Sequence, residues 1–157
     1  MSDFALLALV VVLGAAVMQV TLPPIAVVCR KRGWLDLPRA GKIHTNPTPR
    51  LTGVSIYLSI WVPLFAASLL APELMKEFNA HAAVLWLGGL AILALGVIDD
   101  AHPLSSWPKL IVQIVTGSML YWSGIGFDRL WIPFVGGASL GLFAWPVTLL
   151  WFLLVVN

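Results

Sequence analysis

The chain has 157 residues, 60% of them hydrophobic and 10% charged, with mean hydropathy +0.95 and a formal net charge of +2. Soluble domains carry about 25% charged residues, so this composition excludes an ordinary water-soluble domain and makes lipid the expected solvent. Eight tryptophans suit the aromatic belts of a membrane protein, and no nucleic acid is expected among its partners.

The first predicted element is an apolar stretch over 4–29, polar only at Gln19 and Thr21 and carrying Pro23 and Pro24. It exceeds the roughly 20 residues that a spanning helix needs. A signal peptide would place its positive charges before the apolar core. Here Asp3 precedes the core and Arg30, Lys31 and Arg32 follow it, the pattern of an anchor whose start lies outside. Cys29, the single cysteine, cannot form an internal disulfide. Its basic neighbours would allow acylation, but an inert thiol is the simpler reading.

A polar loop, 30–50, comes next. Further spans are predicted over 51–71, 82–98, 109–124 and 138–156, the last with Pro146 inside it. A second polar loop covers 99–108. Gly88 and Gly89 read as small residues for helix packing. With the start outside, both polar loops face the cytoplasm. They and the adjoining membrane edge hold Arg30, Lys31, Arg32, Arg39, Lys42, Arg50 and Lys109, against Lys76 and Arg129 on the other side. That bias is the positive-inside pattern. The expected class is an all-α integral membrane protein, one membrane domain over 1–157, with about five transmembrane helices.

Both cytoplasmic loops carry candidate chemistry. In the first, Pro38, Pro47 and Pro49 disfavour a long helix. Arg30, Lys31 and Arg32 are explained by topology alone. Lys42, His44 and Arg50 are held in a more rigid stretch that suits an anionic ligand, since Arg forks onto phosphate and Lys acts as a point charge. In the second, Asp99 and Asp100 stand at the end of an apolar run, where a helix dipole disfavours negative charge. A divalent cation would relieve that cost, and Mg²⁺ takes one or two carboxylates plus substrate phosphates. A solvated Asp-Asp turn is the plain alternative. Lys109 and Gln113 follow one turn apart on one helix face, although Lys109 alone could be a snorkelling anchor.

The stretch GVIDDAHPLSSWPKLIVQ, residues 96–113, resembles the signature of the polyprenyl-phosphate N-acetylhexosamine-1-phosphate transferases, the superfamily of bacterial lipid-linked GlcNAc-1-phosphate initiators and phospho-N-acetylmuramoyl-pentapeptide transferases. Gly96, Asp99, Asp100, Leu104, Lys109, Leu110 and Gln113 fall in place. In the first loop Asp36, Pro38, Lys42, His44, Pro47, Pro49, Arg50 and Gly53 match as well. Arg39, Gly41 and Thr52 depart from the family pattern.

The resemblance implies transfer of N-acetylhexosamine-1-phosphate from a UDP-sugar to undecaprenyl phosphate, releasing UMP and initiating a cell-envelope glycan of O-antigen-like type. It implies Mg²⁺ or Mn²⁺ as cofactor and a multi-pass homodimer in the bacterial inner membrane. Asp99 and Asp100 are the catalytic candidates and supporters of the metal. Lys42, His44, Arg50, Lys109 and Gln113 are the candidates for binding substrate phosphates. The five spans match the first half of a fold of roughly ten to eleven membrane helices. Asn157 resembles the first residue of a further family motif, so an N-terminal fragment is expected, with the main metal-binding aspartate beyond it and the isolated chain inactive. Two other readings remain: a catalytically incomplete membrane module or pseudo-enzyme, and a transporter or channel fragment using Asp99 and Asp100 as an ion site.

Overall fold

The computed structural model describes residues 3–36, 47–132 and 136–157. Its helices are α1 (Asp3–Arg32), α2 (Thr52–Leu70), α3 (Lys76–Ala101), α4 (Ser106–Trp122) and α5 (Ala144–Val156). Two small antiparallel hairpins join them: β1 (Leu35–Asp36) with β2 (Thr48–Pro49), and β3 (Arg129–Ile132) with β4 (Gly136–Ser139). The all-α membrane class holds. Among the described residues α1, α2 and α3 are each long and apolar enough to cross a membrane. At 1.5 Å per residue the 30 residues of α1 reach about 45 Å, beyond the roughly 30 Å of bilayer hydrocarbon.

The chain forms two compact units. The first holds α1, β1, β2, α2 and both ends of α3. Its helix pair is α1 with α2. Ser55, Ser59, Pro63 and Ala67 recur every fourth residue and so share one face of α2; Ser55, Pro63 and Ala67 are buried. Opposite them stands Gly14, where an added Cβ would come within 2.9 Å of the Ser59 carbonyl oxygen. Pro63 has no N–H to offer the carbonyl four residues back, which is that same Ser59 oxygen. The close approach of Gly14 therefore sits where the α2 ladder is open.

The end of α1 is set by Gly33, whose φ of 72° is a left-handed conformation that suits glycine. The Gly33 N–H donates to the Arg30 carbonyl and the Trp34 N–H to the Cys29 carbonyl, at 3.4 and 2.9 Å. This double closure is the Schellman motif, which satisfies carbonyls the helix would leave unpaired. It turns the chain into β1, and the pairs Leu35–Pro49 and Asp36–Thr48 then bring the two ends of the first polar loop together.

The second unit holds the middle of α3, α4, the β3–β4 hairpin and α5. Gly88 is buried against Thr116, Met119 and Leu120, the packing role expected of it. Gly117 lies under Leu149 and Phe152. Trp145 Nε1 donates to Ser118 Oγ at 3.1 Å, and the Phe127 N–H donates to Thr148 Oγ1 at 3.0 Å.

Two boundaries differ from expectation. The fifth helix begins at Ala144, not near 138, because residues 136–139 pair with 129–132 and Gly141 adopts φ 50°. That start puts Pro146 in the first turn, where a missing N–H costs no hydrogen bond. The third helix begins at Lys76 and runs through Ala101, so Asp99 and Asp100 lie in its last turn and not in a loop over 99–108.

Candidate active site

In the first unit the last turn of α3 carries Asp99 and Asp100, and His102 closes the helix through its N–H to the Ile98 carbonyl at 2.7 Å. Successive helical residues project about 100° apart, so the two carboxylates face different surroundings and do not form a natural pair of ligands to one ion.

Arg50 joins the first polar loop to this helix end. Its Nη1 donates to the backbone carbonyl of Asp100 at 3.4 Å, and its Nη2 lies 3.9 Å from Asp36 Oδ1. Its own backbone N–H donates to the Trp34 carbonyl at 3.1 Å. The guanidinium therefore meets one of the last four carbonyls of α3, the place where a helix leaves acceptors unpaired and where cations are favoured by the dipole. Asp36, Asp99 and Arg50 all lie close enough to act on the charge of Asp100. Among the described residues, three carboxylates against one guanidinium make this cluster net acidic. Arg50 and Asp36 remain about a third exposed, so their pairing is a modest source of stability. Its value is geometric, tying β1, the start of α2 and the end of α3 to one point.

Asp36 joins the cluster although sequence reasoning kept it only as a motif match. Its signal was its place in the first loop; its partner, fourteen residues on, needs the β1–β2 pairing to be seen. Lys42 and His44 lie outside the described residues.

In the second unit a cleft of about 580 Å³ is lined by Ser106, Trp107, Lys109, Leu110, Gln113 and Asn157. Lys109 is its charged lining residue. Gln113 is buried, 5% exposed, and its carboxamide makes reciprocal hydrogen bonds with Asn157: Nε2 to Oδ1 at 3.3 Å, and Asn157 Nδ2 to Oε1 at 3.0 Å. The candidate residues thus fall into two clusters: Asp99, Asp100 and Arg50 in one unit, Lys109 and Gln113 in the other. Among the described residues no three His, Cys, Asp or Glu side chains are grouped to hold a metal ion.

Residues 82–157 match the family model described as Glycosyl transferase family 4. The decaprenyl-phosphate N-acetylglucosaminephosphotransferase of Mycobacterium tuberculosis (strain H37Rv) is 34% identical over 136 residues, which is 85% of this chain and 33% of that protein. The corresponding protein of Mycobacterium leprae is 32% identical over 139 residues, 87% of this chain and 34% of its own length. The probable undecaprenyl-phosphate N-acetylglucosaminyl 1-phosphate transferase of Bacillus subtilis (strain 168) is 30% identical over 128 residues, 81% of this chain and 34% of that protein. The chain spans about a third of the length of these curated relatives. No solved structure matches it significantly. With its apolar helices and these matches, the chain is a multi-pass membrane protein and belongs to glycosyl transferase family 4.

Proposed function

We propose that the protein carrying this chain transfers N-acetylhexosamine-1-phosphate from a UDP-sugar to undecaprenyl phosphate, releasing UMP, at the cytoplasmic face of a bacterial inner membrane. The start of the chain is outside, the assembly is a homodimer, and the product begins a cell-envelope glycan of O-antigen-like type. The observation that carries this reading is the acidic cluster of Asp36, Asp99 and Asp100 around Arg50, at one end of a spanning helix and inside the family motif. Relatives named for polyprenyl-phosphate N-acetylglucosamine phosphotransfer support the reaction class.

In this reaction an oxygen of the lipid phosphate attacks the β-phosphorus of the nucleotide sugar. The bond between that phosphorus and the bridging oxygen breaks, and UMP leaves with its electrons. Such transfers depend on positioning and charge neutralisation more than on covalent help from the protein. The described donor set fits a hard divalent cation. The carboxylates at the end of α3 are hard oxygen donors, fewer than a full protein shell among the described residues, which suits Mg²⁺ or Mn²⁺ held partly by substrate phosphates. When bound, such an ion supplies charge neutralisation at the diphosphate. One of Asp99 and Asp100 would support it, and their divergent directions favour a division of labour in which the other carboxylate orients the lipid phosphate. Arg50 holds the helix end that carries both. Lys109 would neutralise phosphate charge from its cleft. Lys42 and His44 complete the set proposed to bind substrate phosphates.

The test is UMP release by the natural protein in proteoliposomes supplied with UDP-N-acetylglucosamine. The expected result is release that requires both undecaprenyl phosphate and Mg²⁺ and stops on chelation. Release by neither route would remove the transferase reading and favour a pseudo-enzyme or a transport role.

A further inference from the structure

Spacing alone makes Gln113 a second phosphate contact beside Lys109, yet its side chain is buried and already engaged. The orientation of that engagement can be derived. Asn157 has one group within 3.0 Å of the Leu153 carbonyl. A carbonyl only accepts, so that group must be the Asn157 amide nitrogen. Its two hydrogens are then accounted for, one to Leu153 and one to Gln113 Oε1. Asn157 Oδ1 is left facing Gln113, which must present Nε2 to it. A backbone carbonyl of α5 thus fixes the Asn157 amide, and the Asn157 amide fixes Gln113. The pair closes a ring of two hydrogen bonds between α4 and α5. Lys109 lies one turn before Gln113 on α4 and lines the same cleft as both amides.

We propose that Gln113 is a positioning residue that acts through Asn157: the reciprocal amide pair sets the spacing of α4 and α5 at the Lys109 cleft and fixes which atoms of Asn157 face it. The inference rests on the transferase reading above. It asks for a group at position 113 that both donates and accepts at this distance. A carboxylate there accepts from Asn157 Nδ2 but sets its second oxygen against Oδ1, and it also draws on Lys109. A protonated carboxyl has the donor and acceptor of the amide. Lys109 is the charged side chain lining the cleft with the pair; α5 carries none, and among residues 81–95 of α3 the titratable group is His81, eighteen residues before Asp99.

The experiment measures undecaprenyl-phosphate-dependent UMP release by the natural protein and its Gln113→Glu and Gln113→Asn variants from pH 8 to pH 6. Asn keeps the donors and acceptor but is one methylene short. Each variant is expected to lose about tenfold or more in kcat at pH 8 with KM for the UDP-sugar little changed, the scale of a lost hydrogen bond to a buried partner. The Glu variant should recover relative to wild type as the pH falls, while the Asn variant keeps a constant ratio to wild type. Wild-type kcat in Gln113→Asn, or a Glu-to-wild-type ratio independent of pH, overturns the inference. If Gln113→Glu does not fold, Gln113→Asn decides alone. A wild-type protein without UMP release would instead remove the transferase reading itself.

Discussion

The acidic cluster at the end of α3 and the amide-lined cleft beside Lys109 solve opposite problems. In the cluster, like charges gather at a helix end that disfavours them, and one arginine offsets part of the cost. Among the described residues the carboxylates outnumber that guanidinium, an arrangement that suits a cationic partner. In the cleft beside Lys109, the two amides are neutral and satisfy each other, as the buried Gln113 requires. In the proposed reading the first region binds through charge, and the amide pair of the second holds the shape around Lys109. Reactivity is therefore expected to follow charge at Asp99 and Asp100, and to follow geometry at Gln113.

Arg50→Ala breaks the comparison hardest after the aspartates themselves. It removes the tie between Asp36 and the Asp100 carbonyl, and UMP release should fall about 100-fold, a loss of a few kcal/mol of transition-state stabilisation. Arg50→Lys keeps the charge but loses the planar fork that spans two partners, and an intermediate loss is expected. Wild-type activity in Arg50→Lys would mean that charge alone, and not the double contact, is what matters there; equal loss in the two variants would mean the reverse. Gly33→Ala sharpens the same contrast at smaller scale. It strains the left-handed turn that delivers β1 to the cluster, with an expected cost of about 1 kcal/mol in stability. In a thermal melt of the detergent-solubilised protein it should lower the midpoint while leaving kcat nearly unchanged.

The apolar runs made the helices legible, because spanning segments must bury hydrocarbon and satisfy their own backbone. The details that failed are those set by neighbours. Asp99 and Asp100 read as loop because the apolar run stops before them; the helix continues to Ala101, and Arg50, which meets that end, lies about fifty residues away. Pro146 read as a mid-helix proline because the apolar run began earlier, but the β3–β4 pairing claims residues 136–139 and leaves the proline in the first turn. The hairpins themselves are too short to show a strand pattern. Gln113 was legible as a site residue by position, while its partner Asn157 is forty-four residues on and visible only in the fold. The motif therefore named the residues, and the structure divided them between charge and geometry.

The measurement that tests the central claim most directly is single-turnover UMP release by Asp99→Asn and Asp100→Asn in the natural protein, with Mg²⁺ saturating and membrane insertion checked by yield. Each substitution keeps size and one acceptor oxygen and removes the charge. The account predicts losses of about a thousandfold or more, in the range of removing a group that acts on the transferring phosphoryl, with insertion unaffected. Near-normal release by both variants would contradict it and move the reactive centre away from the end of α3.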